Sequence, residues 1–307
     1  PNMHQHGYNP SLFLGTIAAG GTLGILIPPS INIILYGVLS ETSVPELYLA
    51  AFIPGFLLAS LFSVAVWAIC VVRPSLGGRP APRASMTERI RSMVHLGPPL
   101  LLFLLVVGSI YAGIATPTEA ASLGVVAALV LAHLNRKLTV SVLLRAFEGT
   151  VRTTAMVMLI VIAALFVNFV LSTLAVTDAV IAAVAGLDWP PLAIMLAIIA
   201  VYLVLGCFVE TLTLMIATTP IIVPIVTKLG YSPIWFGVVF VILIEAALIT
   251  PPIGMNLFVV QSVRGSGPIR DVIRGSTPFL LMMLAMIGLL IAMPDLALWL
   301  PRVLGRQ

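Results

Sequence analysis

Five stretches of this chain, residues 11–40, 47–72, 153–177, 189–209 and 276–294, contain no Asp, Glu, Lys or Arg. About 20 apolar residues span the hydrocarbon of a bilayer as a helix. Backbone in lipid must satisfy its own hydrogen bonds, so each stretch is restricted to helix or to irregular chain shielded by protein. A membrane barrel would need strands of about 10 residues alternating apolar with polar, and these Leu/Ile/Val/Ala runs do not alternate. The expected fold class is therefore an all-α polytopic membrane protein. Charged residues make up only 8% of the chain, against about 25% in soluble domains, which excludes a water-solvated globule.

The formal charge of +4 raises nucleic acid as a partner, but its placement argues against one. Twelve of the 15 basic residues fall in three segments, Arg73 to Arg91, Arg136 to Arg152 and Arg264 to Arg274. Basic loops stay on the cytoplasmic side, so the charge is an orientation signal and the lipid bilayer is the partner it implies. Cys70 and Cys207 sit in apolar runs without CxxC spacing, which indicates neither a disulfide framework nor a transition-metal site. His4 and His6 read as part of a solvated loop rather than as metal ligands. No Ser/His/Asp constellation, P-loop or Rossmann glycine pattern is present, so neither an enzyme nor an ATP-driven pump finds its chemistry here.

Proline and glycine repeat within the chain. At an offset of 223, Pro1, Gly7, Tyr8, Pro10, Phe13, Pro28 and Pro29 match Pro224, Gly230, Tyr231, Pro233, Phe236, Pro251 and Pro252. One inserted residue later, Asn32 matches Asn256 and Pro54 matches Pro278. Glu41 and Glu46 follow the first unit, whereas Arg264, Arg270 and Arg274 follow the second. By the positive-inside rule the two units then cross in opposite senses, which gives inverted repeats with re-entrant hairpins and discontinuous helices. The organisation expected is as follows: 1–46, the end of a first hairpin plus the first broken helix; 47–189, scaffold and connecting helices; 190–263, a second hairpin plus the second broken helix; and 264–307, a C-terminal scaffold helix. Gly206, Glu210 and Thr211 precede the second matched block and would have partners before residue 1, so a longer parent protein is expected, of which this chain is an N-terminally truncated part. Arg302 and Arg306 are the misfit, since this path leaves them outside.

The breaks themselves are chemical. Consecutive prolines remove two amide donors and push the preceding residue out of helical geometry. Carbonyls freed in hydrocarbon cost several kcal/mol each unless something polar meets them. A bound cation meets that demand: carbonyl, hydroxyl and amide oxygens are hard ligands suited to Na⁺. The candidate residues are Gly21, Thr22, Gly24, Pro28, Pro29, Ser30 and Asn32 at the first break, and Thr250, Pro251, Pro252, Gly254 and Asn256 at the second. Glu210 either orients the hairpin tip and adds negative potential for a cation or is held by local amides. Glu245, two turns before Pro252, either serves the site or makes a structural hydrogen bond to the hairpin. Glu119, in Thr116-Pro117-Thr118-Glu119, reads as a helix cap.

Four motifs carry a family resemblance: GTLGILIPPS (Gly21 to Ser30), YAGIATPTEAA (Tyr111 to Ala121), GCFVET (Gly206 to Thr211) and EAALITPPIGMNLF (Glu245 to Phe258). With these motifs in order, the chain resembles the large membrane subunit of the tripartite ATP-independent periplasmic (TRAP) transporters. The resemblance implies a multi-pass protein of the bacterial inner membrane and sodium-coupled symport of organic acids (carboxylates). A periplasmic substrate-binding protein would deliver the substrate, and a small membrane subunit would brace an elevator-like transport domain. It places sodium sites at the hairpin tip near Glu210 and Thr211 with Thr250 to Asn256, and at the Gly21 to Asn32 break, with Na⁺ as coupling ion and no other cofactor. The rival expectations are a proton-coupled or efflux relative using Glu210 or Glu245, and a non-transporting membrane scaffold. The particular organic acid is not legible in these residues.

Overall fold

A computed structural model describes residues 7–78, 85–186 and 188–305. Pro1, His4, His6, Arg79, Arg83 and Arg306 lie outside the described residues, as does the side chain of Asp178. The described chain is helical, with no strand. In order the helices are α1 (Pro10–Leu26), α2 (Ile31–Leu39), α3 (Val44–Val72), α4 (Met86–Met93), α5 (Gly97–Tyr111), α6 (Pro117–Leu134), α7 (Val140–Thr173), α8 (Val176–Ala185), α9 (Pro191–Gly206), α10 (Thr211–Lys228), α11 (Pro233–Leu248), α12 (Met255–Arg264), α13 (Ile269–Ala292) and α14 (Asp295–Leu304). Among the described residues six helices or helix runs are long and apolar enough to cross a membrane, and α1 with α2 makes a seventh if the pair, bent by 45°, counts as one span.

All three basic segments that read as loops are partly helical, the third because Ile269 opens α13 and Arg264 closes α12. Val140 to Arg152 forms the first turns of α7, and α4 occupies Met86–Met93 with a capping box between Ser85 and Glu88. Charge reports the side of the membrane, not the conformation, and Arg, Lys and Glu are good helix formers. The single helix expected over 264–307 is two, because Pro294 separates α13 from α14.

Packing divides the chain into Pro1–Ala81 with Val167–Gln307, and Pro82–Phe166. In the second unit α5 and α6 pack as a hairpin. In the first, α11 is the hub: every residue from Trp235 to Ala247 is buried. Around it stand α1, α2, α3, α9, α10, α12, α13 and α14.

Several of the residues matched at the offset of 223 have like backbone roles. Gly7 and Gly230 both have positive φ, 64° and 88°. Pro10 and Pro233 both open a helix, and the Pro28-Pro29 and Pro251-Pro252 bonds are both cis. Pro54 and Pro278 both lie inside the second helix after the break, α3 and α13. The two units exchange partners: α1 packs along α13, and α11 along α3. At the first crossing Gly15 and Gly275 meet backbone to backbone; a Cβ on Gly15 would fall 2.0 Å from the Gly275 carbonyl carbon. Small residues permit such close approach of membrane helices.

The same contacts fix directions. Ser11 Oγ donates to the Asp271 carbonyl at 2.7 Å, so α1 begins at the start of α13. Trp235 Nε1 donates to the Leu290 carbonyl at 2.9 Å, so α11 begins at the other end. At 1.5 Å per residue those anchor points are roughly 28 Å apart, about one hydrocarbon thickness.

Candidate functional site

Both helices open at their prolines. In α1 the helix persists through Gly20, Gly21, Thr22 and Gly24 and ends at Leu26, leaving 27–30 irregular. Glycine weakens a helix but keeps its N–H; only proline removes the donor. Gly21, Thr22 and Gly24 therefore stand in the last helical turns, not in unwound chain. A proline deprives the carbonyl four residues earlier of its helical partner, which singles out Gly24 and Ile25 here, and Ala247 and Leu248 in α11, where Ala247 O is retaken by the Thr250 N–H at 3.1 Å. Ile25 O is taken by the Ser30 hydroxyl, and Ser30 Oγ in turn accepts the Ile33 N–H at 3.4 Å as cap of α2. Gly24 has open space beside it, and Asn32 is buried in the first turn of α2.

At the second break the released oxygens converge. Gly254 adopts left-handed φ of 48°, and a Cβ there would lie 2.8 Å from Leu257 Cδ1, 2.9 Å from Thr250 O and 3.2 Å from Leu248 O. Glycine is required twice over, by the dihedral and by these two carbonyls. Thr250 Oγ1 donates to Ala246 O at 2.6 Å and keeps its lone pairs. Asn256 Nδ2 donates to Ala18 O of α1 at 3.4 Å, which commits the amide nitrogen and leaves Oδ1 as an acceptor. This bond also sets the second break beside the middle of α1. The first break lies against the middle of α3, where a Cβ on Gly55 would be 3.0 Å from Ile27 Cγ1.

The tip of the α9–α10 hairpin joins the second break. Gly206 ends α9, and a Cβ there would come 2.4 Å from Ala247 Cβ, one turn before Pro251. Glu210 is the N-cap of α10, with Oε2 accepting from the Thr213 N–H at 2.9 Å and from Thr213 Oγ1 at 3.2 Å. Local amides therefore hold Glu210, and Thr211 begins the helix buried behind it.

The remaining two carboxylates differ sharply. Glu119 stands in the other unit in a full capping box: the Thr116 N–H and hydroxyl both donate to Oε2 at 2.8 Å, and the Glu119 N–H donates back to Thr116 Oγ1 at 3.4 Å. It is a cap, as expected. Glu245 is fully buried, and neither carboxylate oxygen has a hydrogen-bond partner among the described residues. The expected bond to the hairpin is not made.

Sequence reasoning missed the carbonyls of Ala18 and Leu248. Leu248 is nameable from Pro252 alone, by counting back four residues. Ala18 has no such signal, because its role comes from a contact 238 residues distant in sequence. Among the described residues no group of three or more His, Cys, Asp or Glu side chains gathers. The donor set at both breaks is peptide, hydroxyl and amide oxygen, which fits a hard cation and not a transition metal.

Membrane-length apolar helices, two of them opened at matched prolines with peptide oxygens released beside a hairpin tip, define a polytopic membrane permease rather than an enzyme. The chain belongs to the family described as the tripartite ATP-independent periplasmic transporter, DctM component, which matches residues 1–296. It is a multi-pass protein of the bacterial inner membrane. Among its relatives, the C4-dicarboxylate TRAP transporter large permease protein DctM of Pseudomonas aeruginosa is 34% identical over 306 residues, covering 99% of this chain and 70% of the relative. The ectoine/5-hydroxyectoine TRAP transporter large permease protein UehC of Ruegeria pomeroyi is 33% identical, covering 98% and 69%. The sialic acid TRAP transporter large permease protein SiaM of Vibrio cholerae is 32% identical, covering 98% and 70%.

Proposed function

We propose that this protein is the large permease of a sodium-driven uptake system for an organic acid, working with a small membrane subunit and a periplasmic binding protein. The observation that carries the sodium reading is the approach of Leu248 O and Thr250 O to Gly254, flanked in sequence by the Thr250 hydroxyl and the Asn256 amide. Oxygens withdrawn from helical bonding in hydrocarbon need a positive partner, and a desolvated Na⁺ supplies one. Substrate follows the ion because ordering the break and the tip at Gly206 to Thr211 shapes one pocket. The cost of that ordering falls on the ion, so the second ligand binds more tightly.

The two units are read as an inverted repeat. The end where α1 begins carries Arg73, Arg270, Arg274 and the Arg264–Asp271 pair at 3.0 Å. The end where α11 begins carries Glu41, Glu46 and Lys228, and Arg302 there is neutralised by Asp295 at 2.6 Å. The positive-inside rule puts the first end in the cytoplasm. The rule follows Lys and Arg rather than net charge, so Arg302, although paired, still counts against this orientation, outweighed by the larger basic cluster at the other end. The broken helices and hairpin then move substrate across as a body, an elevator-type motion that the family resemblance suggests.

The test is uptake by the complete transporter in proteoliposomes supplied with its binding protein. Labelled C4-dicarboxylate, ectoine and sialic acid, named for three relatives, are the first substrates to try. An inward Na⁺ gradient at fixed pH is expected to drive accumulation, and replacing Na⁺ with choline to abolish it. Accumulation indifferent to choline but driven by a proton gradient would overturn sodium coupling. That outcome would favour the second reading, proton coupling through Glu245, which rests on its burial without a partner.

A further inference from the structure

A cavity of about 540 Å³ lies well away from the two breaks, between the start of α1, the last turns of α3 and the first turns of α13. Seven of its eleven lining residues are apolar or glycine, among them Leu12, Ile69, Val72 and Pro278. Arg73 and Arg274 supply its charge, and no acidic side chain lines it. Neither guanidinium has an ion-pair partner among the described residues. The nearest acid in sequence, Asp271, is engaged by Arg264 at 3.0 Å. Of the other polar groups, Asn9 Oδ1 caps the Ser11 and Leu12 amides and the Ser11 hydroxyl donates to Asp271 O, which leaves the Asn9 side-chain amide nitrogen as a further donor. Two unpaired guanidinium groups and that amide over an apolar floor, at the N-terminal end of a 17-residue helix, are thus what the cavity offers a ligand.

That combination is amphiphilic. Guanidinium forks bind phosphate oxygens in pairs, and the positive end of α1 adds to the attraction. A free phosphate would gain nothing from Ile69, Val72 and Pro278, whereas a lipid buries its acyl chain there at about 25 cal/mol per Å². The depth agrees, because α3 and α13 are both of membrane-spanning length and Arg73 immediately follows the last residue of α3. Basic pockets between transmembrane helices on the cytoplasmic side suit anionic headgroups.

We propose that this cavity binds the headgroup of an anionic phospholipid, with Arg73 and Arg274 clasping the phosphate and an acyl chain lying over Ile69, Val72 and Pro278. The assignment to the cytoplasmic leaflet rests on the orientation proposed above; the binding itself does not. Occupied, the site ties the end of α3 to the α1–α13 crossing and steadies the first broken helix at its root.

The test uses the complete, delipidated transporter in detergent and choline buffer, so that neither sodium nor transport enters the readout. Thermal unfolding is followed with phosphatidylglycerol, phosphatidylcholine or inorganic phosphate, and bound lipid is counted by native mass spectrometry. Phosphatidylglycerol is expected to raise the unfolding temperature, and the other two to leave it unchanged. Arg73→Gln/Arg274→Gln should retain phosphatidylglycerol about tenfold less tightly, Arg73→Lys/Arg274→Lys should fall between, and Arg302→Gln at the opposite end should match wild type. Equal stabilisation by phosphatidylcholine, or an unchanged response in both double variants, would overturn the proposal. Stabilisation by phosphate alone would also overturn it, by making the cavity a free-anion site.

Discussion

The two broken helices share their prolines, their helix starts and their cis bonds, yet they live in different surroundings. α11 is enclosed on every side, while α1 keeps an open face on which Ile17 is 48% exposed and a Cβ on Gly20, Gly21 or Gly24 would touch nothing. The repeat offset makes the difference specific. Phe240 and Ala247, which meet Tyr202 and Gly206 of α9, correspond to Ile17 and Gly24. The face covered by a hairpin on α11 is thus the uncovered face on α1. Equivalent sequence signals build equivalent breaks, but the packing around a break is set by which other segments reach it.

Substitutions can break or sharpen this comparison. The largest effect is expected at the helix crossings. Gly15→Ala drives a methyl into the Gly275 backbone and should cost at least about 3 kcal/mol, the upper end for overpacking, seen as loss of monodisperse protein. Gly237→Ala at the other crossing meets the Tyr36 ring edge at 2.5 Å and the Leu47 side chain at 2.9 Å, which can shift, and should cost less. Next come the hairpin faces. Gly206→Ala, 2.4 Å from Ala247 Cβ, should destabilise by about 1–3 kcal/mol, while Gly24→Ala should be neutral or gain up to about 1 kcal/mol from helix propensity. Equal damage at both positions, read from thermal unfolding of the complete protein, would mean that the first face is covered there as tightly as the second.

Smaller still is the effect on ion affinity. Asn256→Ala and Thr250→Ala should each raise the sodium concentration for half-maximal uptake about tenfold, or about 1.4 kcal/mol. Both leave the prolines in place, so an unchanged sodium dependence would remove these side chains from the site. Smallest is the entry to each helix. Asn9 caps α1 through two amide bonds, whereas Ser232 makes no side-chain cap on α11. Asn9→Ala should cost about 1 kcal/mol and Ser232→Ala almost nothing, by thermal unfolding.

Much of this architecture was legible because proline and glycine act locally. Pro28-Pro29 and Pro251-Pro252 dictate where the helices open, and Thr116-Pro117-Thr118-Glu119 dictates a cap, whatever surrounds them. What faces what was not legible. In lipid an apolar side chain suits either solvent or core, so the pattern of Leu, Ile and Val in α11 does not reveal that this helix is the hub, nor that α1 crosses α13 at Gly15 and Gly275. The burial of Glu245 without a partner was hidden for the same reason: one carboxylate in an apolar run gives no direction. The extent of unwinding was overdrawn at Gly21, Thr22 and Gly24, where glycines suggested a break that only the prolines make.

Gly254 offers the most direct measurement, since a methyl there would crowd the Thr250 and Leu248 carbonyls as well as Leu257 Cδ1. Thermal unfolding of the complete permease is titrated with Na⁺ in choline buffer, with K⁺ as control. Wild type should gain stability saturably, by about 2.7 kcal/mol at a hundredfold excess over the dissociation constant, and Gly254→Ala should lose most of that gain. An equal sodium response in Gly254→Ala, or the same response to K⁺, would contradict a cation held by these peptide oxygens.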